Sequence, residues 1–442
     1  MLKSFFVNLS GFRQQGGSGL YMRERRFFFD PNNTFSWTVP AGVTKIFAFV
    51  IGAGGGGRAK GWNSDNDEVS GGGGGGGGYA SGVIAVTPGA THTVTVGKGG
   101  KGQSGDQTSA TAGSASSLGS FLTGNGGPVA TQPSPDSNNT GATSYGNGGS
   151  ASTSGVTEAY TAAGGGPSVG HRVSVGQMQG AGGGASSGSP FGPGCGKPQA
   201  TVNHAMGGSG WGTGQYKDDD GRFLNEVSHN GAWGGGSSGG DGSHSMASNM
   251  FGGDSFSTTN YSNATKGGGG FTAKGGYPVI DGMNNSEDDS QNYARKTGTA
   301  AGNFGNRDQD GENANPNWWF PWEIDGGGGG AGINAHDDLY GFRQCYGGSG
   351  GPGAGGGGCA VYCYQNRMWG GEGGRGGFGG GGGGCNMAFA YGNSQTQRGA
   401  NGGNGGIGGG GGGCLAKNTQ SNATWYNYTA GSGGHGIVGI YW

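Results

Sequence analysis

The sequence is poor in the residues that build ordinary cores and ordinary binding fields. Hydrophobic residues make up 31% and charged residues 11% of its 442 positions. Long stretches hold no Leu, Ile or Val, so side-chain packing cannot hold the whole chain together. Net charge is −2, from 24 basic and 26 acidic residues. That leaves no electrostatic footprint for nucleic acid or a membrane surface. No apolar run in residues 1–26 reaches secretory length: Phe5, Phe6 and Val7 are followed at once by Asn8, Ser10 and Arg13. Neither a signal peptide nor a membrane-inserted helix is expected. Six cysteines, Cys195, Cys345, Cys359, Cys363, Cys385 and Cys414, are too few for a disulfide scaffold in a chain of this length. Cys359 and Cys363 lack both the tight spacing of a zinc ribbon and a neighbouring His. Proline is scarce at 14 residues and no Gly-X-Y period runs through the chain, which excludes collagen.

What is present is glycine, at 120 residues, about four times the usual share of roughly 7%. Glycine-rich sequence is flexible linker by default, because ordering glycine costs the most backbone entropy. Two features argue against that default. Aromatics reach 10%, which is high for a disordered chain, and the glycines fall in dense blocks with a repeated register.

The ends are patterned as strands. Residues 35–51 hold two β-rich runs split by Pro40-Ala41-Gly42, and the second run is apolar on both faces, as in a buried strand. Residues 82–96 read as a hairpin around Pro88-Gly89. Residues 437–442, Ile-Val-Gly-Ile-Tyr-Trp, read as a last strand able to pair with the one near residue 45. Residues 1–34 are a polar lead-in, either an edge strand or an attachment arm. The expected organisation is that arm, then one glycine-rich domain over 35–442.

The C-terminal third contains a repeat. Residues 370–378, with Phe378 at the end, lead into a glycine block and Cys385. Residues 399–407, ending on Ile407, lead into another and Cys414. Residues 347–354 lead into a shorter block and Cys359. Ser349, Arg375 and Asn404 align, as do Pro352, Phe378 and Ile407. A Gly-Gly-X period matches an extended helix with three residues per turn and no internal hydrogen bonds. Its buried amides must pair laterally, and close approach demands no side chain on the contact sides. The fold class expected is therefore irregular and mainly β: a polyglycine-II helix bundle, or glycine-rich sandwich, closed by short strands at both ends. The blocks 71–78 and 379–384 should be interior, and Glu372, Arg375, Asn401 and Asn404 should face outward. A run of about 13 residues at roughly 3.1 Å each would span about 40 Å before turning back.

After each aligned cysteine comes a loop, and all three should emerge at one end. They carry Tyr362, Tyr364, Arg367 and Trp369, then Phe389 and Tyr391, then Trp425, Tyr426 and Tyr428. Aromatic loops on a rigid scaffold suit recognition. The competing reading is that these rings cap the bundle end.

Several stretches resemble the glycine-rich domain of phage tail fibres. They are Trp37-Thr-Val-Pro-Ala-Gly-Val-Thr44, Val50-Ile-Gly-Ala-Gly-Gly-Gly-Gly57, the octaglycine with Tyr79-Ala-Ser-Gly82, Val86 to Gly97, and the ending Gly434-His-Gly-Ile-Val-Gly-Ile-Tyr441. The polyglycine sandwich of tail-fibre tip adhesins is similar in principle. The resemblance implies a virion protein whose distal loops bind a host receptor, either a glycan or an outer-membrane protein, and whose N-terminal arm joins other virion proteins. By family habit it implies a trimer. The long insertions at 196–232, 241–266 and 277–325 depart from that pattern. The alternatives are a capsid or tail decoration protein and a secreted cell-surface or matrix protein.

Catalytic and cofactor motifs are absent. Gly-x-Gly-x-x-Gly matches carry no weight in this composition, and no Walker lysine completes residues 97–102. Asn306, Asp308 and Asp310 with Gly311 form the first half of a calcium loop, but position twelve is Asn317 rather than Glu, and an Asx-rich turn explains them as well. The aromatic cluster Trp318, Trp319 and Trp322 could stack on a glycan, contact a sister subunit or seal a small core. The expectation is a non-enzymatic chain without cofactors.

Overall fold

The computed structural model describes residues 24–31, 33–62, 71–105, 109–130, 147–168, 181–196, 207–211, 345–351, 353–363, 371–389, 401–417 and 428–442, with short strands at 204–205, 230–232, 255–257, 262–265, 279–281, 296–297 and 332–336. Among the described residues there is no helix. The structure is mainly β, and two antiparallel sheets organise it.

The first sheet contains β1 (Arg25–Phe28), β3 (Lys45–Ile51), β5 (Tyr79–Ala85), β10 (Val156–Ala162) and the C-terminal strand Ile437–Tyr441. Its order is β1, C-terminal strand, β3, β5, β10. The second sheet is β2 (Thr34–Thr38), β6 (Thr91–Thr95), β7 (Ser116–Leu118), β8 (Leu122–Gly124) and β9 (Ala151–Thr153), in that order. Alternation explains the packing. Trp37, Val94, Leu118 and Leu122 of the second sheet meet Ile46, Val50, Ile84 and Ile440 of the first in one buried cluster.

As expected from sequence, β3 and the C-terminal strand pair, with Ile51 opposite Ile437 and Phe47 opposite Tyr441. The apolar character of both β3 faces also has a structural cause. Ile46, Ala48 and Val50 enter the sandwich core, while Phe49 and Ile51 join a second cluster with Tyr79, Trp211, Phe378 and Ile437 on the opposite face. That second cluster seals the sandwich to the glycine segments. The lead-in is partly structural: Arg25–Phe28 forms the first sheet's edge, opposite Tyr441 to Val438, and Phe28 is buried.

Residues 82–96 do not form a hairpin. β5 pairs with β3 and β10, whereas β6 pairs with β2 and β7. The Pro88-Gly89 turn is real: Ala90 N–H donates to Thr87 O, and Gly89 has φ 78°. This is the type II pattern, with proline first and a positive-φ glycine second. It carries the chain from one sheet to the other. Pro40-Ala41-Gly42 does the same between β2 and β3, with Val43 N–H on Pro40 O and Gly42 at φ 81°. The two corners lie side by side, joined by Val39 N–H to Ala90 O.

Beneath the sandwich, glycine segments bond to one another. Residues 408–413 show the rule. Gly410 and Gly413 donate to Ala185 and Gly182, Gly411 and Cys414 to Gly55 and Arg58, and Gly412 to Gly403. On the acceptor side, Gly408 and Gly411 receive Gly77 and Gly74, Gly409 and Gly412 receive Gly434 and Gly431, and Gly410 and Gly413 receive Gly382 and Cys385. Each third residue returns to the same neighbour, so this segment touches six others. Residues 52–57 repeat the scheme, donating in rotation to the 72–78, 111–114 and 431–434 segments. Residues 71–78 and 379–384 are buried throughout, as expected.

The close approach excludes side chains. A Cβ on Gly411 would fall under 3.0 Å from the Gly431 carbonyl, and one on Gly74 would do so against that of Gly55. The repeat also departs from the single straight run expected. In all three copies it folds back in the middle, at Gly377-Phe378-Gly379-Gly380, at Gly406-Ile407-Gly408-Gly409 and between Gly351 and Ala354, where Gly380 donates to Gly377, Gly409 to Gly406 and Ala354 to Gly351. Gly379 and Gly408 have φ near 75°. Phe378 and Ile407 thus occupy a turn position that faces the second apolar cluster, which gives their alignment a physical reason.

Candidate functional site

At the end of the lattice away from the sandwich, glycine gives way to side-chain-bearing strands. Ala59–Trp62 (β4), Cys359–Cys363, Cys385–Phe389 and Cys414–Lys417 join Val279–Asp281 and Gly332–His336 in a six-stranded sheet. All neighbours are parallel, and Cys359, Cys385, Cys414 and Ala59 stand in register. The repeats therefore leave the lattice at the same end. Parallel register follows from the repeat itself, because identical turn-and-return units stack without reversing.

The three aligned cysteines are fully buried thiols, none of them in a disulfide. Burial pushes the Cys385 thiol well up, and the neighbouring Cys359 pushes it further. Burial does the same to Cys414, reinforced by Cys385. Such thiols stay protonated and act as small apolar packing groups rather than nucleophiles. Among the described residues no group of three His, Cys, Asp or Glu is placed to hold a metal.

The recognition candidates divide. Tyr362 lies in the Cys359–Cys363 strand opposite Ala335 and Ala388, and Phe389 ends the next strand opposite Cys363. Tyr428 is buried at 5% exposure, and its carbonyl accepts Gly105 N–H. It is part of the packed rim and not of an exposed surface. Tyr364, Arg367, Trp369, Tyr391, Trp425, Tyr426, Trp318, Trp319 and Trp322 lie outside the described residues, as do Asn306, Asp308 and Asp310.

A second surface comes from the lattice flank. Segments 347–351, 373–377, 402–406, 429–435, 97–104 and 111–114 lie side by side in that order, each hydrogen-bonded to the next. Their outward positions recur every third residue: Glu372 and Arg375; Asn401 and Asn404; Thr429, Ser432 and His435; Lys98, Lys101 and Ser104. An outer segment lacks a neighbour on its solvent side, so some of its amides need other acceptors. Side chains supply them. Ser114 Oγ accepts Lys98 N–H at 2.7 Å, Thr111 Oγ1 accepts Lys101 N–H at 2.9 Å, and Ser432 Oγ accepts Gly102 N–H at 3.2 Å. Asn404 Oδ1 accepts Ser432 N–H at 2.8 Å, and His435 Nδ1 accepts Gly99 N–H at 2.9 Å. His435 is held below its ordinary value, first by burial and then by Lys98, against the opposing pull of Asp30. The spacing of Lys98, Lys101 and Ser104 carried this signal in the sequence, but it was legible only once the six segments were known to adjoin.

A family model described as a glycine-rich domain matches residues 30–270, more than half of the chain. No curated protein matches it. Among the described residues no helix is long and apolar enough to cross a membrane.

Proposed function

We propose that this chain, a member of the glycine-rich domain family, is a non-enzymatic virion protein: a tail-fibre or fibre-tip adhesin built on a polyglycine-II sandwich. The three-residue rotation of hydrogen bonds around 408–413 and 52–57 supports the polyglycine-II reading, since that helix advances one turn in three residues. The observation that carries the adhesin reading is the in-register exit of the repeats, with Cys359, Cys385 and Cys414 aligned at one end. A hydrogen-bonded scaffold that returns the chain repeatedly to one end is suited to holding a cluster of recognition loops. The aromatic residues following each cysteine in sequence supply the chemistry for a glycan or an outer-membrane protein.

The deciding experiment is binding of the purified chain to host cells, beside a variant whose loops after Cys385 and Cys414 are replaced by Gly-Ser. Loss of binding with an unchanged melting temperature supports the adhesin. Retention of binding in that variant overturns the loop assignment. Absence of binding by the intact chain, with the protein located along a particle's shaft or shell, overturns the adhesin in favour of a decoration protein.

A further inference from the structure

The flat flank of the lattice carries charges that folding does not use. Its structural need is for acceptors, and Ser114, Thr111, Ser432, Asn404 and His435 meet it. Lys98, Lys101 and Arg375 have no acceptor atoms, so they cannot serve that purpose, yet all three are exposed on the same face. Among the described outward positions of these segments Glu372 is the one acid, and Asp30 of the sandwich lies near His435. A chain with net charge −2 thus presents a face with an excess of fixed cations.

We propose that this face binds a linear anionic polysaccharide through Lys98, Lys101 and Arg375. Hydrogen bonds place Arg375, Asn404, Ser432 and Lys101 in one row across adjoining segments, since Gly376 donates to Asn404 O, Gly405 to Ser432 O and Gly102 to Ser432 Oγ. The row reads cation, amide, hydroxyl, cation, and spans on the order of 15 Å at roughly 4.8 Å per hydrogen-bonded neighbour. Along the segment, Lys98 and Lys101 stand about 9 Å apart at roughly 3.1 Å per residue. The backbone lattice fixes this pitch before any ligand arrives, which lowers the ordering cost of binding. Charge complementarity selects a polyanion. The described outward positions of this face hold no exposed aromatic ring, which disfavours single-stranded nucleic acid because its binding relies on base stacking. A flat surface also cannot enter a duplex groove. The inference needs neither the terminal loops nor a virion, so it stands or falls apart from the adhesin reading.

The test uses the full chain on immobilised heparin and polygalacturonate, with dextran as neutral polymer and oligothymidylate as nucleic acid, at rising salt. The expected result is binding to both anionic polysaccharides that weakens with salt, and none to dextran. Replacing Lys98, Lys101 and Arg375 together by Gln should weaken binding about tenfold or more, equivalent to about 1.4 kcal/mol. Glu372→Gln should tighten it. Unchanged affinity in the triple variant, equal capture by dextran, or tighter binding to oligothymidylate overturns the proposal. Should the triple variant fail to fold, Glu372→Gln decides alone: no gain in affinity overturns it.

Discussion

The sandwich and the glycine lattice are two solutions to one problem within a single chain. In the sandwich, backbone amides pair along two directions in each sheet, and side chains such as Trp37, Ile46 and Leu122 supply the attraction between sheets. In the lattice, amides and carbonyls point outward in rotation to six neighbours, and almost no apolar side chain is buried between them. The first region tolerates a change of side chain at the cost of a cavity. The second admits a side chain only at a few positions and only a small one, such as Ala53, Ala185 or Ser168. A core of side chains is specified by shape, whereas a core of backbone is specified by absence.

The largest expected effect breaks the lattice. Gly411→Ala drives a methyl group into the Gly431 carbonyl and should cost about 5 kcal/mol or leave the chain unfolded. Gly42→Ala is the matched control: its added carbon meets nothing within 4 Å, so the cost is only the positive φ, about 1–2 kcal/mol. Denaturant melts of both variants measure this difference. Equal losses would mean that backbone contact does not distinguish the two glycines.

The sandwich counterpart comes next. Trp37 is 2% exposed and packs near His92 and Trp442, so Trp37→Ala should cost about 3–5 kcal/mol. Hydrogen exchange sharpens the comparison: amides at 408–413 should keep more protection than those of β6 in this variant. Uniform loss across both regions would show that they unfold as one.

A smaller effect tests the few side chains inside the lattice. Ser168 is fully buried; its Oγ accepts Gly73 N–H at 2.6 Å and donates to Gly183 O at 2.8 Å. Ser168→Ala leaves both groups unpaired and should cost about 1–3 kcal/mol. A change within error would indicate that water or a shifted segment replaces the hydroxyl.

The smallest effect is pH-dependent. His435 accepts Gly99 N–H as a neutral ring, and its folded pKa lies below the ordinary 6.5. The unfolded chain therefore binds the proton more readily. The stability His435 contributes is complete above pH 6.5 and is lost as pH falls through the lower folded value. Melting temperature should drop between pH 7.5 and pH 5.5 by more in the wild type than in His435→Gln. Parallel curves would remove His435 from the linkage.

Much of the lattice was legible because its rule is compositional. Blocks 71–78 and 379–384 have no side chains, and interior placement follows directly. The pairing of Ile51 with Ile437 was legible from two apolar runs at opposite ends. The sheet change at Pro88-Gly89 was not, because the same type II turn serves a hairpin or a corner. The decision came from β2, whose Thr34–Thr38 pairs with β6 in place of β5. The fold-back at Phe378 and Ile407 was hidden for a related reason. Gly379 and Gly408 turn the chain with positive φ, yet in sequence they are two more glycines in a Gly-Gly-X period.

The candidate surfaces show the same division. The sequence repeat alone places three cysteines in register, and the parallel strands carry that register through. The burial of Tyr428 could not be anticipated, since aromatic composition does not say which rings cap a rim. The flank of Lys98, Lys101 and Arg375 joins positions more than 270 residues apart in sequence, and no local pattern relates them.

By itself the sequence determined that this chain must pair backbone with backbone, because it holds too few side chains for any other core and too much glycine for a loose one to be ordered. Tertiary structure alone decided which segments are neighbours and which faces remain for solvent. Glycine segments are chemically identical, so their order in the lattice is set by the few side-chain-bearing elements at its ends: the sandwich, the turns at Phe378 and Ile407, and the cysteine-aligned strands.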